Sequence, residues 1–553
     1  MKNQYKALYD KLKSGDLDGI NAKNAIQQLL VNTEEENSLY HKTLMLLKSV
    51  LSPIIKVPVE RIEEEAAFDE YGINSIMIMD MTEELEKTFK GLSQTLFYEC
   101  SNVKELTYYF INNYNDVLQK RFVEKKEPCK KDNQRSVEKA VPKPVLKDDK
   151  AKEAKTNEED IAIIGIAGSY PDSDDLEALW ENLRNGKDCI REIPKDRWDY
   201  KKYYSENKNE GAIDSKWGGF LNEVDEFDSL LFHISPVEAD KMDPQERIFL
   251  QCVYHLFEDA GYTKKTLKKD DKAKVGVYVG VMYEEYQFYG VEEQQKHNEI
   301  ALGGNAASIA NRISYVFNLN GPSIAINTMC SSSLTTIHLA CQSIKSGECD
   351  VAVAGGVNIS IHPNKYITLA QGNFASSKGR CESFGNSGDG YVPGEGVGAV
   401  LIKPLSRAIE DGDHIYGVIK GSAINHGGRT NGYTVPNPNM QAEVIESALK
   451  QANMNPRTIS YLEAHGTGTI LGDPIEIAGL EKVYKKYSGD VKYCSIGSVK
   501  SNIGHCEGAA GVAAITKVLL QMKYKKLVPS LHAEVLNKKI DFEHSPFVVQ
   551  QDL

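Results

Sequence analysis

The chain has 553 residues, which predicts two or more domains, since single hydrophobic cores seldom grow past a few hundred residues. Its composition is ordinary for a globular protein, and the formal net charge of −13 argues against nucleic acid as the main partner. No apolar run is long enough for a membrane span, and the amphipathic start argues against secretion. Ten cysteines without CxxC pairs favour reduced thiols in a cytoplasmic enzyme over disulfides or a metal site.

The first 115 residues are predicted to be helical. Residues 1–35 are expected to form a short helical hairpin that acts as a linker. Residues 36–115 are expected to form a small helical bundle, because apolar residues recur there at helical spacing. The recurring positions are Leu44, Leu47, Leu51 and Ile54, followed by Ile78, Met81, Leu85 and Phe89.

A turn inside this helical domain carries a candidate modification site. In FDEYGINSIMIMDMTEEL, residues 68–85, Gly72 and Asn74 permit a turn. Asn74 or Ser75 can cap the helix that follows. An ordinary helix cap is one interpretation of this pair, and a covalently modified Ser75 hydroxyl is the other.

Residues 116–158 are expected to form a flexible linker. The stretch is rich in Lys, Glu and Asp, contains Pro and has almost no aromatic side chain. Such a segment cannot bury enough apolar surface to fold. A random coil of about 43 residues would place its ends roughly 35 Å apart, so it would let the helical domain swing beside a larger one.

From residue 159 to 553 the pattern changes to alternating strands and helices. Short apolar runs of this kind are typical of strands that are buried on both faces, and amphipathic segments separate them. The runs lie at residues 160–168, 274–281, 350–358, 398–405 and 415–424. We expect a large layered α/β domain in two parts, before and after roughly residue 410, with several strands in each.

Cys330 is a candidate nucleophile. It lies in NTMCSSSLTTIHLACQSIKSG, residues 327–347, between a strand-like segment and a helical one. The positive end of a helix dipole favours a thiolate over a thiol, and a thiolate is a good nucleophile for a thioester. The Cys330 backbone N–H is placed to face the resulting oxyanion. A buried, inert cysteine is the alternative interpretation.

Two histidines and a lysine form the other candidate site residues. His465 follows an apolar strand and precedes a Gly/Thr loop in YLEAHGTGTILGDPIEI, residues 461–477. In SIGSVKSNIGHCEGAAGVAAITKVLL, residues 495–520, a strand leads to Lys500 and His505 before a helix of small residues. Either histidine alone is compatible with a structural role. Two histidines at strand ends in the same half of the domain favour a catalytic site.

These motifs resemble those of β-ketoacyl synthases of polyketide synthases. TMCSSSL, EAHGTGT with LGDPIE, and GSVKSNIGH occur in the order of the family's Cys-His-His triad. Supporting stretches include MDPQERIFL (242–250), ASIANRISY (307–315) and GRCESFGNSGDGYVPGEGVGAV (379–400), so the resemblance covers essentially all of 159–553. Two further stretches, GVMYEEYQFYG (280–290) and INHGGRTNGYTVPNPNMQ (424–441), are similar to synthases served by a separate, trans-acting acyltransferase.

The resemblance implies a thiolase-like fold with two related α/β halves and a decarboxylative Claisen condensation. Cys330 would take an acyl chain from a carrier thioester, and a malonyl carrier would then lose carbon dioxide. His465 and His505 would donate hydrogen bonds to the enolate oxygen or assist the leaving carboxylate, and Lys500 would play a supporting role. The product would be a β-ketoacyl carrier in an antibiotic-type biosynthetic pathway.

The helical domain is similar to acyl carrier proteins, in which the serine of Phe-x3-Gly-x-[Asp/Asn]-Ser carries 4′-phosphopantetheine. That serine is Ser75, and Asn74 replaces the usual Asp and removes one negative charge used in partner recognition. The implied partners are acyl and malonyl carriers, a trans-acting acyltransferase, a phosphopantetheinyl transferase and other polyketide synthase chains. The family's synthases are homodimers, and nucleic acid and membrane partners are not expected.

Two alternatives remain open at this point. The glycines of IAIIGIAGS (161–169) suggest a dinucleotide fold, but the G-x-G-x-x-G spacing is absent. The second concerns the end of the synthase domain, which is expected to lack the usual C-terminal segment of a few dozen residues with a GTNAH-type loop beside the catalytic cysteine. On that expectation the chain is a working condensing enzyme, or it is a non-condensing carrier and docking platform, or half of a split synthase that is inactive until the segment is supplied.

Overall fold

The computed structural model describes residues 39–66, 68–71, 80–81, 84–90, 92, 96, 100, 102–122, 159–205, 213–267, 274–428, 436–469 and 472–553. The chain divides into two compact units, Met1–Lys150 with Asp228–Asp240 and Ala151–Phe227 with Lys241–Leu553. The predicted hairpin at 1–35 and residues 123–158 of the predicted linker lie outside the described residues.

The smaller unit is helical, as the sequence predicts. Its main helices are α1 (residues 39–55) and α2 (Val103–Phe122), with shorter 3₁₀ turns at Val59–Arg61 and Phe68–Tyr71. The apolar positions that recur in the sequence form its core, and Phe89 packs on Phe110 with ring centroids 4.4 Å apart. The buried members of the predicted set are Leu44, Leu47, Leu51, Met81, Leu85 and Phe89, with Ile54 partly buried. Ile78 lies outside the described residues.

The prediction that the linker starts at residue 116 is wrong, because that residue lies inside a helix. Helix α2 is kinked at Tyr114 and continues beyond the kink to Phe122, seven residues past the predicted end of the domain at 115. The reason is that the apolar stripe of the helix does not stop at Phe110. Leu118 lies two turns further along and is fully buried in the same core.

The larger unit alternates helices and strands. Its strands are β1 (Ile161–Ser169), β2 (Ile190–Glu192), β3 (Trp217–Gly219), β4 (Val275–Gly280), β5 (Ser323–Ile326), β6 (Val351–Asn358), β7 (Gly396–Pro404), β8 (Gly417–Ile419), β9 (Tyr461–Glu463), β10 (Cys494–Gly497) and β11 (Phe547–Val549). Its helices are α3 (Leu176–Arg184), then α4 (Pro236–Ala239) in the segment assigned to the smaller unit, α5 (Pro244–Asp259), α6 (Lys264–Leu267), α7 (Tyr286–Gln295), α8 (Ala306–Phe317), α9 (Ser332–Ser346), α10 (Asn364–Gln371), α11 (Leu405–Asp411), α12 (Pro438–Ala452), α13 (Gly472–Tyr487), α14 (Lys500–Ile503) and α15 (Ala510–Tyr524).

Two sheets organise this unit. The larger sheet has the strand order β5-β4-β6-β7-β1-β8, and β4 pairs in parallel with both β5 and β6. The strands β6, β7, β1 and β8 pair antiparallel with one another in that order. The smaller sheet is parallel, with the order β11-β10-β9, and β2 pairs with β3 in a separate ribbon.

The strands predicted from continuous apolar runs are confirmed. Strands β4 and β6 are buried along their whole length, as are β1 and β7 except for one terminal residue each. The predicted division near residue 410 does not separate the sheets, because β8 pairs with β1 at the edge of the larger sheet. The last predicted run, 415–424, is a strand only over Gly417–Ile419.

Close approach between a sheet and a helix fixes the region around residue 330. Helix α9 begins against the ends of β4 and β6, and glycine at Gly280 makes this possible. A Cβ atom at Gly280 would lie 2.7 Å from the backbone nitrogen of Ser333, closer than real Cβ contacts. The start of α9 is therefore seated directly on the sheet, with Ser332 and Ser333 fully buried.

No helix among the described residues is long and apolar enough to cross a bilayer. Nine cysteines lie in the described parts of the chain, and all nine are free thiols. Eight of them are buried, whereas Cys330 keeps partial access to solvent.

Candidate active site

Cys330 lies in a tight turn between β5 and α9. Met329, just before it, has a left-handed backbone conformation with φ of 59°, which is unusual for a residue with a side chain. The Thr328 backbone N–H donates to the Ser332 hydroxyl at 3.0 Å, and that hydroxyl donates to the Met329 carbonyl oxygen at 2.6 Å. These bonds hold the sulfur at the point where the chain leaves the sheet and enters the helix.

His465 follows β9 and begins a glycine-rich loop. Its backbone N–H and that of Gly466 donate to the two carboxylate oxygens of Glu476, at 2.7 and 2.9 Å. Gly468 in the same loop has a φ of +75°, and a Cβ there would lie 2.6 Å from the Glu382 backbone nitrogen. The glycines are thus required for the loop to pack, and the Glu476 carboxylate anchors the start of the loop.

His505 follows the short helix α14 and is almost completely buried. Its ring lies 5.4 Å from the ring of His465, centroid to centroid, and the two rings are nearly perpendicular at 82°. The Glu507 backbone N–H donates to Nδ1 of His505 at 2.9 Å. In a neutral ring the proton must therefore sit on Nε2, which has no hydrogen-bond partner among the described residues. His505 thus offers an unused N–H donor.

Both histidines are held neutral. Desolvation in the site, together with the positive charge of Lys500, lowers the pKa of His465 to about 3. The ring of His465 keeps exposed surface and borders a cavity of about 380 Å³, so it remains accessible while uncharged. Burial lowers the pKa of His505 well below its usual value, and Lys500 adds to the effect. Neutral imidazoles can both accept a proton and donate a hydrogen bond.

The charge of Lys500 acts on all three of the other candidate residues. Lys500 begins helix α14 and is 3% exposed, and its charge acts on the pKa of Cys330, His465 and His505. The structure therefore brings all four candidates of the large domain into one region. The four residues follow the strands β5, β9 and β10. They come from segments up to 175 residues apart in the sequence (330 to 505).

The site favours the thiol form of Cys330 over the thiolate that the sequence predicts. Burial and the nearby Glu507 carboxylate raise the pKa of Cys330 to about 11, although Lys500 and Lys365 oppose this. Desolvation of the charged sulfur outweighs the helix dipole on which the sequence argument relied. At neutral pH the group is a thiol, so its attack on a thioester requires a proton acceptor nearby.

The sequence analysis missed a buried ion pair beside these residues. Lys365 and Glu507 form a salt bridge, and both side chains are fully buried. Lys365 also donates to the Ser360 hydroxyl at 2.9 Å, and the Tyr391 hydroxyl donates to Glu507 at 3.3 Å. One signal was available, because Glu507 is the only charged residue in the run of small and apolar residues from 506 to 516.

Ser75 lies outside the described residues. The described residues on either side of it, Phe68 and Met81, are buried in the core of the helical unit.

Family models match both units of the chain. The model described as "Phosphopantetheine attachment site" matches residues 46–110. The models described as "Beta-ketoacyl synthase, N-terminal domain" and "Beta-ketoacyl synthase, C-terminal domain" match residues 158–408 and 416–534. The helical unit is thus a carrier domain whose cofactor is 4′-phosphopantetheine, held covalently on a serine.

Curated relatives are polyketide synthases. Polyketide synthase PksL of Bacillus subtilis is 58% identical over 538 residues, which covers 95% of this chain and 12% of the relative. Polyketide synthase ThaG of Burkholderia thailandensis is 49% identical over 535 residues, which covers 92% of this chain and 10% of the relative. The chain therefore spans about a tenth of the length of these relatives.

Solved ketosynthase structures are also similar. The oxazolomycin ketosynthase domain OzmH KS7 of Streptomyces albus has a TM-score of 0.70 and 53% identity, covering 71% of this chain and 68% of that one. The ketosynthase from module 6 of the bacillaene synthase of Bacillus subtilis has a TM-score of 0.67 and 44% identity, covering 71% of this chain and 66% of that one. These likenesses extend over the thiolase-like fold of the large unit. The chain belongs to the β-ketoacyl synthases of polyketide synthases, condensing enzymes that transfer acyl groups, and it carries a phosphopantetheine carrier domain ahead of the synthase.

Proposed function

We propose that this chain elongates a polyketide by decarboxylative Claisen condensation between an acyl group on Cys330 and a malonyl group on a carrier protein. The observation that carries the proposal is the neutral His505, whose Nε2–H has no partner among the described residues and which lies beside His465. A buried, unused donor is what a developing enolate oxygen needs.

In the first stage the Cys330 sulfur attacks the carbonyl carbon of an acyl thioester. The raised pKa of Cys330 leaves the sulfur protonated at neutral pH, so the thiol proton passes through the neutral His465 ring to the departing carrier sulfur as the Cys330 sulfur attacks. The new carbon–sulfur bond forms as the bond to the carrier sulfur breaks, and the proton leaves with the carrier thiol. The acyl group is then held on Cys330.

In the second stage a malonyl thioester loses carbon dioxide, and the electron pair passes to the enolate. His465 and His505 donate hydrogen bonds to the enolate oxygen. The carbanion attacks the carbonyl carbon on Cys330, so that a carbon–carbon bond forms and the sulfur leaves and regains a proton. Lys500 supports this stage, since its charge favours the neutral form of both rings.

The carrier domain would deliver the acyl chain to Cys330. When bound to Ser75, 4′-phosphopantetheine supplies a long flexible arm that ends in a thiol, and a phosphopantetheinyl transferase would attach it. Asn74 stands where the usual Asp would, and it does not remove the serine that the modification needs. We propose the division 1–35, 36–122, 123–158 and 159–553, in which the end of helix α2 at Phe122 replaces the predicted boundary at residue 115.

Substitution of Ser75 by Ala tests the carrier assignment. We expect the Ser75→Ala variant to lose all transfer from its own carrier domain while Cys330 still accepts small acyl thioesters such as acyl-N-acetylcysteamine. Intact mass spectrometry of the 553-residue chain, treated with phosphopantetheinyl transferase and acyl-CoA, measures both adducts. Substitution of Ser101, which lies in the same domain, is the matched control and should leave carrier loading unchanged.

Two outcomes would contradict this account. If the Ser75→Ala variant still gained the phosphopantetheine mass, the attachment site would lie elsewhere. If the unsubstituted chain loaded its carrier but never Cys330, the non-condensing platform would be supported, or the half of a split synthase.

We also propose a homodimer formed through the synthase unit. In the described part of the chain, strand β5 is the edge strand of the larger sheet and pairs with β4 alone. Ile324 on this strand is 42% exposed, and Met329 and Leu334 beside it are also exposed. An edge strand with apolar neighbours is suited to pairing with a second copy.

The remaining partners are those of an assembly line. We propose that a trans-acting acyltransferase supplies the malonyl carriers, that other polyketide synthase chains supply and take up the acyl groups, and that the protein acts in the cytoplasm. The support comes from the sequence motifs at 280–290 and 424–441 and from the polyketide synthases among the relatives.

A further inference from the structure

Lys365 and Glu507 form an ion pair within the protein interior, and neither reacts in the proposed mechanism. Both side chains have no exposure to solvent. Lys365 lies on α10, and it is further held by hydrogen bonds to the Ser360 hydroxyl and the Asn358 side-chain oxygen. Buried charges are costly to fold even when paired, which makes a purely stabilising role a poor explanation for this pair.

Glu507 holds the backbone turn that follows His505. Its φ is 46°, a left-handed conformation that is strained for a residue with a side chain. This conformation accompanies the hydrogen bond from the Glu507 backbone N–H to Nδ1 of His505. The Glu507 side chain is tied down by Lys365, so the ion pair keeps the strained turn in place.

Glu507 also contacts His505 indirectly, through Tyr391. The Tyr391 hydroxyl donates to the Glu507 carboxylate at 3.3 Å, and the Tyr391 ring packs on the His505 ring with centroids 4.9 Å apart. Glu507 thus supports His505 twice: its backbone N–H donates to Nδ1, and its carboxylate holds the Tyr391 ring that packs on the imidazole.

The pair lies close to Cys330 as well. The Lys365 ammonium is 4.8 Å from the centroid of the Tyr283 ring. The charges of Lys365 and Glu507 both act on Cys330, where Glu507 raises the pKa of the thiol and Lys365 lowers it. Because the two charges act in opposite directions, the pair can support His505 while partly cancelling at the sulfur.

We propose that the Lys365–Glu507 ion pair is a positioning device that fixes the ring and the tautomer of His505, so that Nε2–H faces the substrate oxygen. The proposal rests on the proposed function of this site. Lys365 and Glu507 are positioning residues, since they act through His505 and Tyr391 and not on substrate.

The main test compares two rates in Glu507→Gln, which keeps the shape of the side chain and removes the ion pair. We expect decarboxylative condensation to fall at least tenfold while acyl loading of Cys330 stays within threefold of the unsubstituted chain. Loading is measured by intact mass spectrometry with a small acyl thioester, and condensation by the β-ketoacyl product with malonyl carrier. A double variant, K365M/E507Q, leaves no unpaired charge buried and should show the same split.

A spectroscopic measurement distinguishes positioning from loss of structure. With ¹⁵N-labelled histidine, the unsubstituted chain should show His505 as the Nε2–H tautomer only, and Glu507→Gln should show a mixture. The matched control is Asp413→Asn, which alters the buried Lys403–Asp413 pair away from the site and should leave both rates unchanged.

Two results would overturn the inference. One is a proportional fall of both rates in Glu507→Gln and in the double variant, and the other is condensation unchanged in both. Failure of the proposed function is a separate result, because the unsubstituted chain would then load Cys330 without condensing, or would not load it.

Discussion

Substitution of Cys330 by Ala is expected to abolish acyl loading of the synthase unit, with a fall in rate of at least roughly a thousandfold. The Cys330 sulfur is the nucleophile of the proposed reaction, and Ala retains the backbone geometry of the turn between β5 and α9. The measurement is intact mass spectrometry after incubation with an acyl-N-acetylcysteamine thioester. The unsubstituted chain should gain one acyl mass on the peptide that contains residue 330.

Cys341 provides the matched control for this variant. It lies on α9, the helix that follows the Cys330 turn, and is 1% exposed, so its thiol is removed from solvent. Cys341→Ala should load like the unsubstituted chain. An acyl adduct in Cys330→Ala, at a comparable rate and on another residue of the synthase unit, would contradict the assignment of the nucleophile.

Substitution of His505 by Phe, which keeps an aromatic ring and has no N–H, is expected to slow decarboxylative condensation by about 10²–10⁴-fold. The reason is that the variant removes the Nε2–H donor from the site. Loading of Cys330 should fall much less, because His465 stays available to accept the thiol proton. The two rates are measured separately, by adduct formation on Cys330 and by release of carbon dioxide from a malonyl carrier.

The pH dependence of the unsubstituted chain gives a check on the same residue. An ordinary histidine with a pKa near 6.5 would become charged as the pH falls through that value. Because the pKa of His465 is lowered to about 3 and that of His505 well below its usual value, both stay neutral over this range. Condensation should therefore show no inflection from these rings between pH 7.5 and 6.

His338 provides the control for a loss of structure. It lies on α9, is partly buried, and its Nδ1 is 2.9 Å from the Ser422 hydroxyl. His338→Phe should leave the ratio of loading to condensation unchanged. If His505→Phe lowered loading as strongly as condensation, His505 would not be the specific donor in the second stage.

Much of the fold could be predicted from local patterns in the sequence. The apolar runs that became β1, β4, β6 and β7 are continuous because both faces of these strands are buried, so burial leaves a signal in each run. Cys330, His465 and His505 were singled out as candidates because the sequence predicts a strand shortly before each of them and a run of small residues after it. Their motifs also resemble a family in which the order of the three is fixed.

Other features depend on contacts that a local pattern does not contain. Lys365 and Glu507 are 142 residues apart (365 to 507), and only the folded chain places one ammonium beside one carboxylate. The pKa of Cys330 depends on how much protein surrounds the sulfur, so the helix dipole alone predicted the wrong direction. The end of the carrier domain was placed too early because polar residues around Leu118 hid the last buried turn of α2.

The central claim concerns a new carbon–carbon bond. The most direct test supplies the unsubstituted chain, acylated on Cys330, with a malonyl carrier labelled with ¹³C at the methylene carbon, and analyses the carrier by mass spectrometry. We predict a β-ketoacyl carrier that contains the label, with release of one carbon dioxide and loss of the acyl mass from Cys330. Release of carbon dioxide that leaves only an acetyl carrier and an intact acyl-Cys330 would contradict condensation by this chain.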